Sequence, residues 1–205
     1  MSAALLSAED LACVRGGRLV FADLAFALGP GDALLLRGPN GSGKSSLLRL
    51  LAGFLRPSAG ALSWDGAPIQ DDLASHRARL HYVGHADAVK GALSTRENLE
   101  FAGAIAGGAD AALDAALQAF GLQGLADVPA RFLSAGQRRR LALARLATVE
   151  RALWLLDEPT VGLDAESRQR LQQAIGRHRS AGGIAVLASH GDVDVSDPLV
   201  LELPG

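Results

Sequence analysis

The sequence predicts an α/β fold built around a mostly parallel β-sheet. Short, fully apolar runs of the kind that form buried parallel strands occur at 33–36, 153–156 and 184–188. Helical patterns separate these runs, and this alternation is typical of parallel sheets flanked by helices. The length of 205 residues, with 49% hydrophobic and 20% charged residues, fits one globular domain over 1–205.

The N-terminal region has the pattern of strands joined by turns. Apolar runs at 19–21 and 24–28 are predicted strands, and G-P-G-D at 29–32 is a predicted tight turn. The run 62–64 is followed by the pair D-G at 65–66, which indicates the arm and turn of a hairpin.

Helices are predicted from the residue patterns further along the chain. The run 47–52 predicts a helix that is apolar almost all round. Residues 95–120 are rich in alanine and leucine and are interpreted as a small helical insertion. Two more helices are predicted over 134–148 and over 166–179, the second of them amphipathic.

A glycine-rich segment at 38–45, G-P-N-G-S-G-K-S, matches the phosphate-loop pattern G-x-x-x-x-G-K-[ST] at every position. A predicted strand leads into it and a predicted helix leads out, which is the context that the pattern requires. Its glycines let N–H groups converge on phosphate oxygens, Lys44 supplies positive charge, and the Ser45 hydroxyl can hold Mg²⁺. The alternative is a glycine-rich turn with a stray lysine. The predicted nucleotide contacts are Gly38, Pro39, Asn40, Gly41, Ser42, Gly43, Lys44, Ser45 and Ser46.

Polar residues follow two of the predicted parallel strands. Asp157 and Glu158 come directly after the run 153–156, at the strand end where open parallel sheets bind ligands. Asp157 can hold Mg²⁺ through its water shell, and Glu158 can polarise a water molecule toward a phosphate. His190 follows the run 184–188 and can donate a hydrogen bond to the terminal phosphate. The alternatives are an acidic pair that favours a helix start and a structural histidine.

A second predicted anion site lies at Ser134-Ala135-Gly136, where a helix begins. The unpaired N–H groups and the dipole of a helix start favour an anion. Glycine in a first turn costs about 1 kcal/mol relative to alanine, which makes sense where something must approach the backbone closely. The alternative is that Ser134 is only an N-cap. Two copies arranged head to tail could each hold a nucleotide between the phosphate loop of one copy and the Ser134 segment of the other.

Together these motifs resemble those of the nucleotide-binding subunits of ABC transporters. Residues 38–45 match the Walker A loop, and 133–137 match the signature, with alanine at a position where glycine is more common. Residues 153–158 match Walker B with its catalytic glutamate, 161–164 match the D-loop, and His190 matches the switch histidine.

The resemblance covers essentially the whole chain and implies the fold of an ABC-type nucleotide-binding domain within the P-loop NTPases. This fold has an N-terminal antiparallel β subdomain and a small helical subdomain, expected at about 86–145. The family also implies a homodimer with ATP sandwiched between the copies. The residues expected to contact ATP from the opposite copy are Ser134, Ala135, Gly136, Gln137 and Asp164.

Two positions depart from the family pattern. His85 occupies the place of a glutamine that most members use as a Mg²⁺ ligand, and the charge of an imidazole depends on pH near neutrality. The predicted Mg²⁺ ligands are therefore Ser45, Asp157 and His85. The region around Arg15 has no aromatic residue where members stack the adenine. Arg15 could stack through its guanidinium plane, or it could be a solvated turn charge.

The runs at 84–99 and 134–146, and the short length, resemble the CcmA family, the ATP-binding subunit of the bacterial haem exporter of cytochrome c maturation. This resemblance implies ATP hydrolysis with Mg²⁺ on the cytoplasmic face of the inner membrane, with membrane subunits like CcmB and CcmC. Hydrolysis would energise release of a haem-loaded periplasmic chaperone, and no direct haem binding is expected. The alternatives are an ABC exporter with another cargo, a soluble ABC ATPase without transport, and a nucleotide-regulated binding module without turnover.

Composition and charge disfavour other classes of protein. The net charge of −2 disfavours a nucleic-acid binder, and Arg138–Arg140 are expected to form a solvated or phosphate-facing edge. The single cysteine, Cys13, cannot form an intramolecular disulfide, which fits a reducing compartment. The N-terminus lacks the basic region of a secretory signal, and no apolar run of about 20 residues predicts a membrane span. Membrane association is therefore expected through a partner.

Overall fold

The structure is a computed structural model that describes residues 5–107, 112–189 and 193–204. Short 3₁₀ turns lie between some of its helices and strands. In chain order the elements are β1 (Leu6–Arg15), β2 (Arg18–Leu28), β3 (Ala33–Arg37), α1 (Lys44–Leu51), β4 (Ala59–Trp64), β5 (Ala67–Pro68), α2 (Leu73–Ala78), β6 (Leu80–Val83), α3 (Thr95–Ile105), α4 (Leu113–Ala119), α5 (Ala135–Ala144), β7 (Leu153–Asp157), α6 (Ala165–Ser180), β8 (Ile184–Ala188) and β9 (Leu199–Glu202).

The central sheet is parallel, with the strand order β6-β7-β8-β3-β9. Strands β7 and β8 are buried along their whole length, which is why their sequences are continuous apolar runs rather than alternating ones. The predicted α/β fold with a mostly parallel sheet is confirmed. The register brings strand ends together, because Leu36 of β3 and Asp157 of β7 both pair with Ala188 of β8.

A second, antiparallel sheet has the order β2-β1-β4-β5. The turn between β4 and β5 is the predicted one, and Asp65 and Gly66 have φ values of 52° and 76°. Left-handed conformations at both positions are what a tight hairpin of this kind requires. The strand β1 was not predicted as such. Its pairing with β2 is irregular between Ala8 and Val14, so its burial does not follow the two-residue period by which strands are recognised.

The described residues form two compact units. The first consists of the described parts of Met1–Gly84, Arg151–Glu158 and His178–Gly205, and it contains both sheets. Its core joins side chains of both sheets to α1, among them Leu6, Leu48 and Leu155, each 0% exposed. Burial of a leucine side chain contributes roughly 1.5–3 kcal/mol, so this core is the main support of the sheet edges described below.

The second unit, His85–Glu150 and Pro159–Arg177, is helical. The predicted helix over 134–148 is shorter than expected, because α5 ends at Ala144 and a 3₁₀ turn follows. Thr148 donates to the carbonyl of Arg145 through its N–H and its hydroxyl, which tightens this last turn. The subdomain bounds of 86–145 stay a prediction. No helix in the described parts of either unit is both long enough and apolar enough to cross a membrane.

Candidate functional site

Parallel strands of the first unit end side by side, and the predicted catalytic residues follow them. Asp157, the last residue of β7, is 3% exposed. The N–H of Glu158 donates to the carbonyl of Ala188 at 2.9 Å, and the N–H of Ser189 donates to that of Leu36 at 3.4 Å. The phosphate loop begins two residues after Leu36 in the chain. Loop and acidic pair therefore share the carboxyl edge of the sheet, where α/β proteins bind their ligands.

The phosphate loop depends on glycines at two crowded positions. Gly38 has a φ of 141° and Gly43 a φ of 100°. A Cβ atom at Gly38 would lie 2.7 Å from the carbonyl oxygen of Leu203, and one at Gly43 would lie 2.4 Å from Val20 Cγ1. Helix α1 begins directly after Gly43 without a side-chain cap, which leaves the N–H groups of its first turn for a ligand. The loop is thus a backbone cradle of the kind that phosphates occupy.

Lys44 is a nearly buried cation within this loop. The residue is 6% exposed, and its Nζ donates to the carbonyl of Gly38 at 2.7 Å and to that of Pro39 at 3.0 Å. No carboxylate in the described chain forms an ion pair with it. The Oγ of Ser42 is also buried, and no described atom forms a hydrogen bond with it. Both groups are costly to bury unless an anion completes the site, so the loop fits the phosphates of ATP.

The backbone of Glu158 is held in the left-handed region, with a φ of 47°. This conformation costs an L-residue other than glycine roughly 1–2 kcal/mol. Such strain persists only where the surrounding structure fixes it, and it clusters at functional sites. Here it falls on the residue that the sequence assigns to water activation, directly after the buried Asp157.

The predicted Mg²⁺ ligands of the first unit are the buried carboxylate of Asp157 and the half-buried hydroxyl of Ser45. Both are hard oxygen donors of the type that Mg²⁺ prefers. Burial raises the pKa of Tyr82, the negative charge of Asp157 raises it further, and a hydrogen bond with Arg49 acts in the opposite direction. The phenol of Tyr82 is therefore kept neutral near Asp157, at the end of β7. The described residues contain no group of three or more His, Cys, Asp or Glu side chains that could hold a metal ion by themselves.

The β1–β2 hairpin carries the predicted base-stacking residue, Arg15. Arg15 pairs with Arg18 at the end of the hairpin, and both are exposed. Beside them, Val14 and Leu19 form a cross-strand pair, 44% and 65% exposed. Val20 follows directly and approaches the phosphate loop. The sequence analysis assigned Leu19 only to a strand, because its exposure and its partner become visible only once the register of the hairpin is known.

In the second unit, Ser134 is the N-cap of α5. Its Oγ accepts from the N–H of Gln137 at 3.2 Å, while Gln137 Oε1 accepts from the N–H of Ser134 at 2.8 Å. The predicted N-cap role of Ser134 is thus present. Because each side chain accepts from the backbone N–H of the other residue, the helix start can offer an anion the N–H groups of Ala135 and Gly136.

A close contact within the chain explains why position 136 is glycine. A Cβ atom there would lie 3.0 Å from the carbonyl oxygen of Gly162, so the signature segment lies against the D-loop. Asp164 caps α6 by accepting from the N–H of Ser167 at 2.8 Å, and hydrogen bonds from the side chain and the N–H of Ser167 lower the pKa of Asp164. The close approach that the sequence analysis expected at Gly136 is made by the chain itself. Contacts of these residues with ATP stay predictions.

The expectation that Arg138–Arg140 form a solvated or phosphate-facing edge is wrong. Arg138 donates to the carbonyl of Leu133 at 2.6 Å. Arg139 is 5% exposed and forms an ion pair with Asp87 at 3.1 Å. Arg140 donates to two carbonyls that follow α4, at 3.3 Å and 3.0 Å. The three guanidinium groups therefore bind backbone and carboxylate oxygens around the start of α5.

Two predicted histidine positions are not tested by these contacts. His190 lies outside the described residues. His85 is exposed, follows β6 by two residues and is the first residue of the second unit. Its role as a Mg²⁺ ligand stays a prediction.

The chain is similar to ABC transporter proteins of known sequence. The family model described as ABC transporter matches residues 21–161. The cytochrome c biogenesis ATP-binding export protein CcmA of Rhodospirillum rubrum is 54% identical over 200 residues, 98% of this chain and 86% of that protein. The protein of the same name from Paramagnetospirillum magneticum is 52% identical over 207 residues, 99% of this chain and 95% of that protein.

The fold is also similar to that of a solved ABC transporter structure. The ATP-binding subunit of an ABC transporter superimposes with a TM-score of 0.82 at 25% identity, over 91% of this chain and 79% of that one. The family model and the relatives cover the residues that form the phosphate loop, the signature and the acidic strand end. The chain therefore belongs to the ABC transporter family and, within it, to the CcmA family of ATP-binding proteins.

Proposed function

We propose that the chain binds ATP with Mg²⁺ between two copies of itself and hydrolyses it to drive an export complex in cytochrome c biogenesis. The observation that carries the proposal is Lys44, a nearly buried ammonium group in a glycine loop, without a carboxylate partner among the described residues. A triphosphate supplies the missing negative charge. The relatives are ATP-binding export proteins by name, which supports the same conclusion.

Hydrolysis would rely on position and charge, without a covalent intermediate. Lys44 and the first N–H groups of α1 hold the outer phosphates, and the hydroxyl of Ser42 donates to one of their oxygens. Glu158 orients a water molecule and accepts its proton as the water oxygen attacks the γ-phosphorus and ADP leaves. The left-handed backbone of Glu158 supports this role, because such strain persists only where the surrounding structure holds the residue in place. Here the N–H of Glu158 donates to the carbonyl of Ala188 at the sheet edge.

The remaining predicted ligands complete the site around the γ-phosphate. Ser45, Asp157 and His85 would hold Mg²⁺, which neutralises charge on the phosphate oxygens when bound. His190 would donate a hydrogen bond to the γ-phosphate. The buried position of Asp157 and the oxygen chemistry of Ser45 support the first two assignments.

In the dimer, the start of α5 in the second copy would cover the side of the nucleotide that faces away from the phosphate loop. The capping pair of Ser134 and Gln137 leaves the N–H groups of Ala135 and Gly136 for the γ-phosphate, with Asp164 alongside. ATP would join the copies because it completes sites on both. Hydrolysis removes the bridging phosphate, so ADP holds the copies together less tightly and the dimer opens.

A groove in the second unit is the proposed contact for a membrane subunit like CcmB or CcmC. It has a volume of about 590 Å³ and is lined by Arg96, Glu100, Phe101, Ala104 and Leu113. Phe101 is 44% exposed and carries the ammonium group of Lys90 at 4.3 Å from its ring centroid. An apolar floor with charges of both signs at its rim suits an amphipathic helix of a partner. The chain would then work at the cytoplasmic face of the inner membrane.

The cargo step is proposed from the resemblance to the CcmA family. We assign ATP hydrolysis to the release of a haem-loaded periplasmic chaperone, with no haem bound by this chain. The test is a strain that lacks the gene and is complemented with wild-type protein or with Glu158→Gln. The variant should leave haem-loaded chaperone in the membrane complex and little covalent haem on c-type cytochromes. Normal cytochrome levels with the variant would refute the assignment, and a defect in the transport of another molecule would indicate another cargo.

The enzymatic part is tested by steady-state ATP hydrolysis and by nucleotide binding. Glu158→Gln should lose about 10²–10⁴-fold in turnover and keep its ATP affinity, because a catalytic base acts on the chemical step. Lys44→Ala should lose ATP affinity instead. The matched control is Glu166→Gln, which changes an exposed carboxylate in the first turn of α6 and should leave both quantities unchanged. Wild-type turnover in Glu158→Gln, or unchanged ATP binding in Lys44→Ala, would refute the respective role.

A further inference from the structure

Phe132 lies two residues before the helix start that we assign to the phosphate of the opposite copy. It is 68% exposed, the largest exposure of any aromatic residue in the described ranges. A single exposed phenylalanine needs no explanation by itself. The position of this one, its fixed backbone and its charged neighbour give it a more specific meaning.

The backbone around Phe132 is anchored on both sides. The N–H of Phe132 donates to the carbonyl of Pro129 at 2.9 Å, within a 3₁₀ turn over Ala130–Phe132. The next residue, Leu133, is 3% exposed, and its carbonyl accepts from Arg138 at 2.6 Å. The phenyl ring is therefore presented to solvent from a fixed backbone, so little conformational freedom is lost when a ligand covers it.

The ring of Phe132 has a cationic neighbour. The guanidinium carbon of Arg131 lies over the ring, 4.8 Å from its centroid. An exposed aromatic ring with a guanidinium group over it is a stacking platform of the kind that holds nucleobases.

In the described β1–β2 hairpin and phosphate loop, no aromatic side chain is exposed. Phe21 approaches Gly43, but it is 2% exposed and belongs to the core. Near the turn of the hairpin, the exposed side chains are aliphatic or cationic: Val14, Arg15, Arg18 and Leu19. A base held there would therefore keep one face open for an aromatic ring from elsewhere.

We infer that Phe132 of one copy stacks on the nucleobase of the ATP bound by the phosphate loop of the other copy. The inference rests on the proposed ATP-bound dimer and extends it from the phosphates to the base. Phe132 precedes Ala135 by three residues, which span at most about 11 Å, so the ring and the phosphate contacts that begin at Ala135 can reach one nucleotide. Stacking of a base on an aromatic side chain changes affinity by about fivefold to a hundredfold.

The experiment measures dimer formation in the Glu158→Gln background, which blocks turnover. Analytical ultracentrifugation gives the ligand concentration for half-maximal dimer with ATP, with CTP and with inorganic tripolyphosphate, each with Mg²⁺. Phe132→Ala should raise this concentration by about fivefold to a hundredfold for ATP, less for the smaller base of CTP, and not at all for tripolyphosphate. Phe132→Trp should retain ATP-driven dimerisation. Ile105→Ala, which removes a more exposed apolar side chain (74%) of the same unit, is the matched control and should change nothing.

Three results would overturn the inference. An equal loss with all three ligands would show that Phe132 contacts protein in the dimer rather than the base. Unchanged dimerisation of Phe132→Ala with ATP would show that the ring contributes nothing. If Glu158→Gln stays monomeric with every ligand, the proposed dimer does not form, and the inference fails with it. The first two results leave the proposed function intact.

Discussion

Substitutions at Glu158 separate the strain of its backbone from the chemistry of its side chain. Glu158→Ala and Glu158→Gly both remove the carboxylate and every contact that it makes. They differ only in whether position 158 carries a Cβ atom at a φ of 47°. Both variants should lose hydrolysis, whereas the glycine variant should be the more stable of the two.

The magnitude follows from two opposing terms. The left-handed conformation costs alanine roughly 1–2 kcal/mol, and glycine avoids this cost. Glycine loses more conformational entropy on folding, which costs roughly 0.5–1 kcal/mol relative to alanine. The glycine variant should therefore be more stable by up to about 1.5 kcal/mol, and each kcal/mol raises the melting temperature of a chain of this size by about 2–4 °C.

The control is the same pair of substitutions at Glu166, which lies in the first turn of α6. There the backbone is helical, so glycine should be less stable than alanine by up to about 1 kcal/mol. Thermal unfolding followed by far-ultraviolet circular dichroism measures all four variants. Glycine should be more stable than alanine at position 158 and less stable than alanine at position 166. If glycine is also the less stable residue at position 158, Glu158 is not strained, and its backbone conformation cannot be offered as support for its catalytic role.

The other expected outcomes concern the helix start, the loop and pH. Ala135→Asp should keep or raise thermal stability by about 0.3–1 kcal/mol, because a negative charge suits a helix start, yet should abolish ATP-driven dimerisation; dimers that form normally would contradict the anion site. Gly43→Ala should lower the free energy of unfolding by more than about 1 kcal/mol, since its Cβ would lie 2.4 Å from Val20 Cγ1; wild-type stability would contradict the crowding. Burial lowers the pKa of His76, and its hydrogen bond with the carbonyl of Leu51 acts in the opposite direction, so the neutral form is favoured in the folded chain. Its contribution to stability is present above about pH 6.5 and is lost as pH falls, so urea titrations should show a pH slope that His76→Gln reduces; an unchanged slope would contradict this.

The buried strands and the phosphate loop could be predicted because their sequences carry strong local signals. Leu153–Asp157 is apolar on both faces, so its pattern does not depend on which neighbour it meets. The edge strand β9 and the irregular β1 lack such a pattern and were missed. Strand β9 is short and largely exposed, and β1 is held by a bulged pairing that only its partner strands define.

At the site, the sequence predicted which residues take part better than it predicted which residues they contact. Ser134 was predicted at a helix start, with an N-cap as one possible role, and the structure shows it as the N-cap of α5. The close neighbour of Gly136 and the ion pair of Arg139 could not be predicted, because Gly162 and Asp87 are distant in the chain. The exposure of Leu19 depends on the register of its hairpin and was missed for the same reason.

The central claim is that each nucleotide site is completed by two copies, and a mixing experiment tests it directly. Lys44→Ala damages the phosphate loop alone, and Ala135→Asp damages the helix start alone, so each variant should be inactive as a homodimer. A mixed dimer has one site with an intact loop from one copy and an intact helix start from the other. Since neither variant should dimerise with itself, the ATP-bound dimers in an equal mixture are mixed ones with one good site of two, and steady-state ATP hydrolysis should recover to at most about half of the wild-type rate. A mixture that stays as inactive as its two components at every ratio would contradict the account.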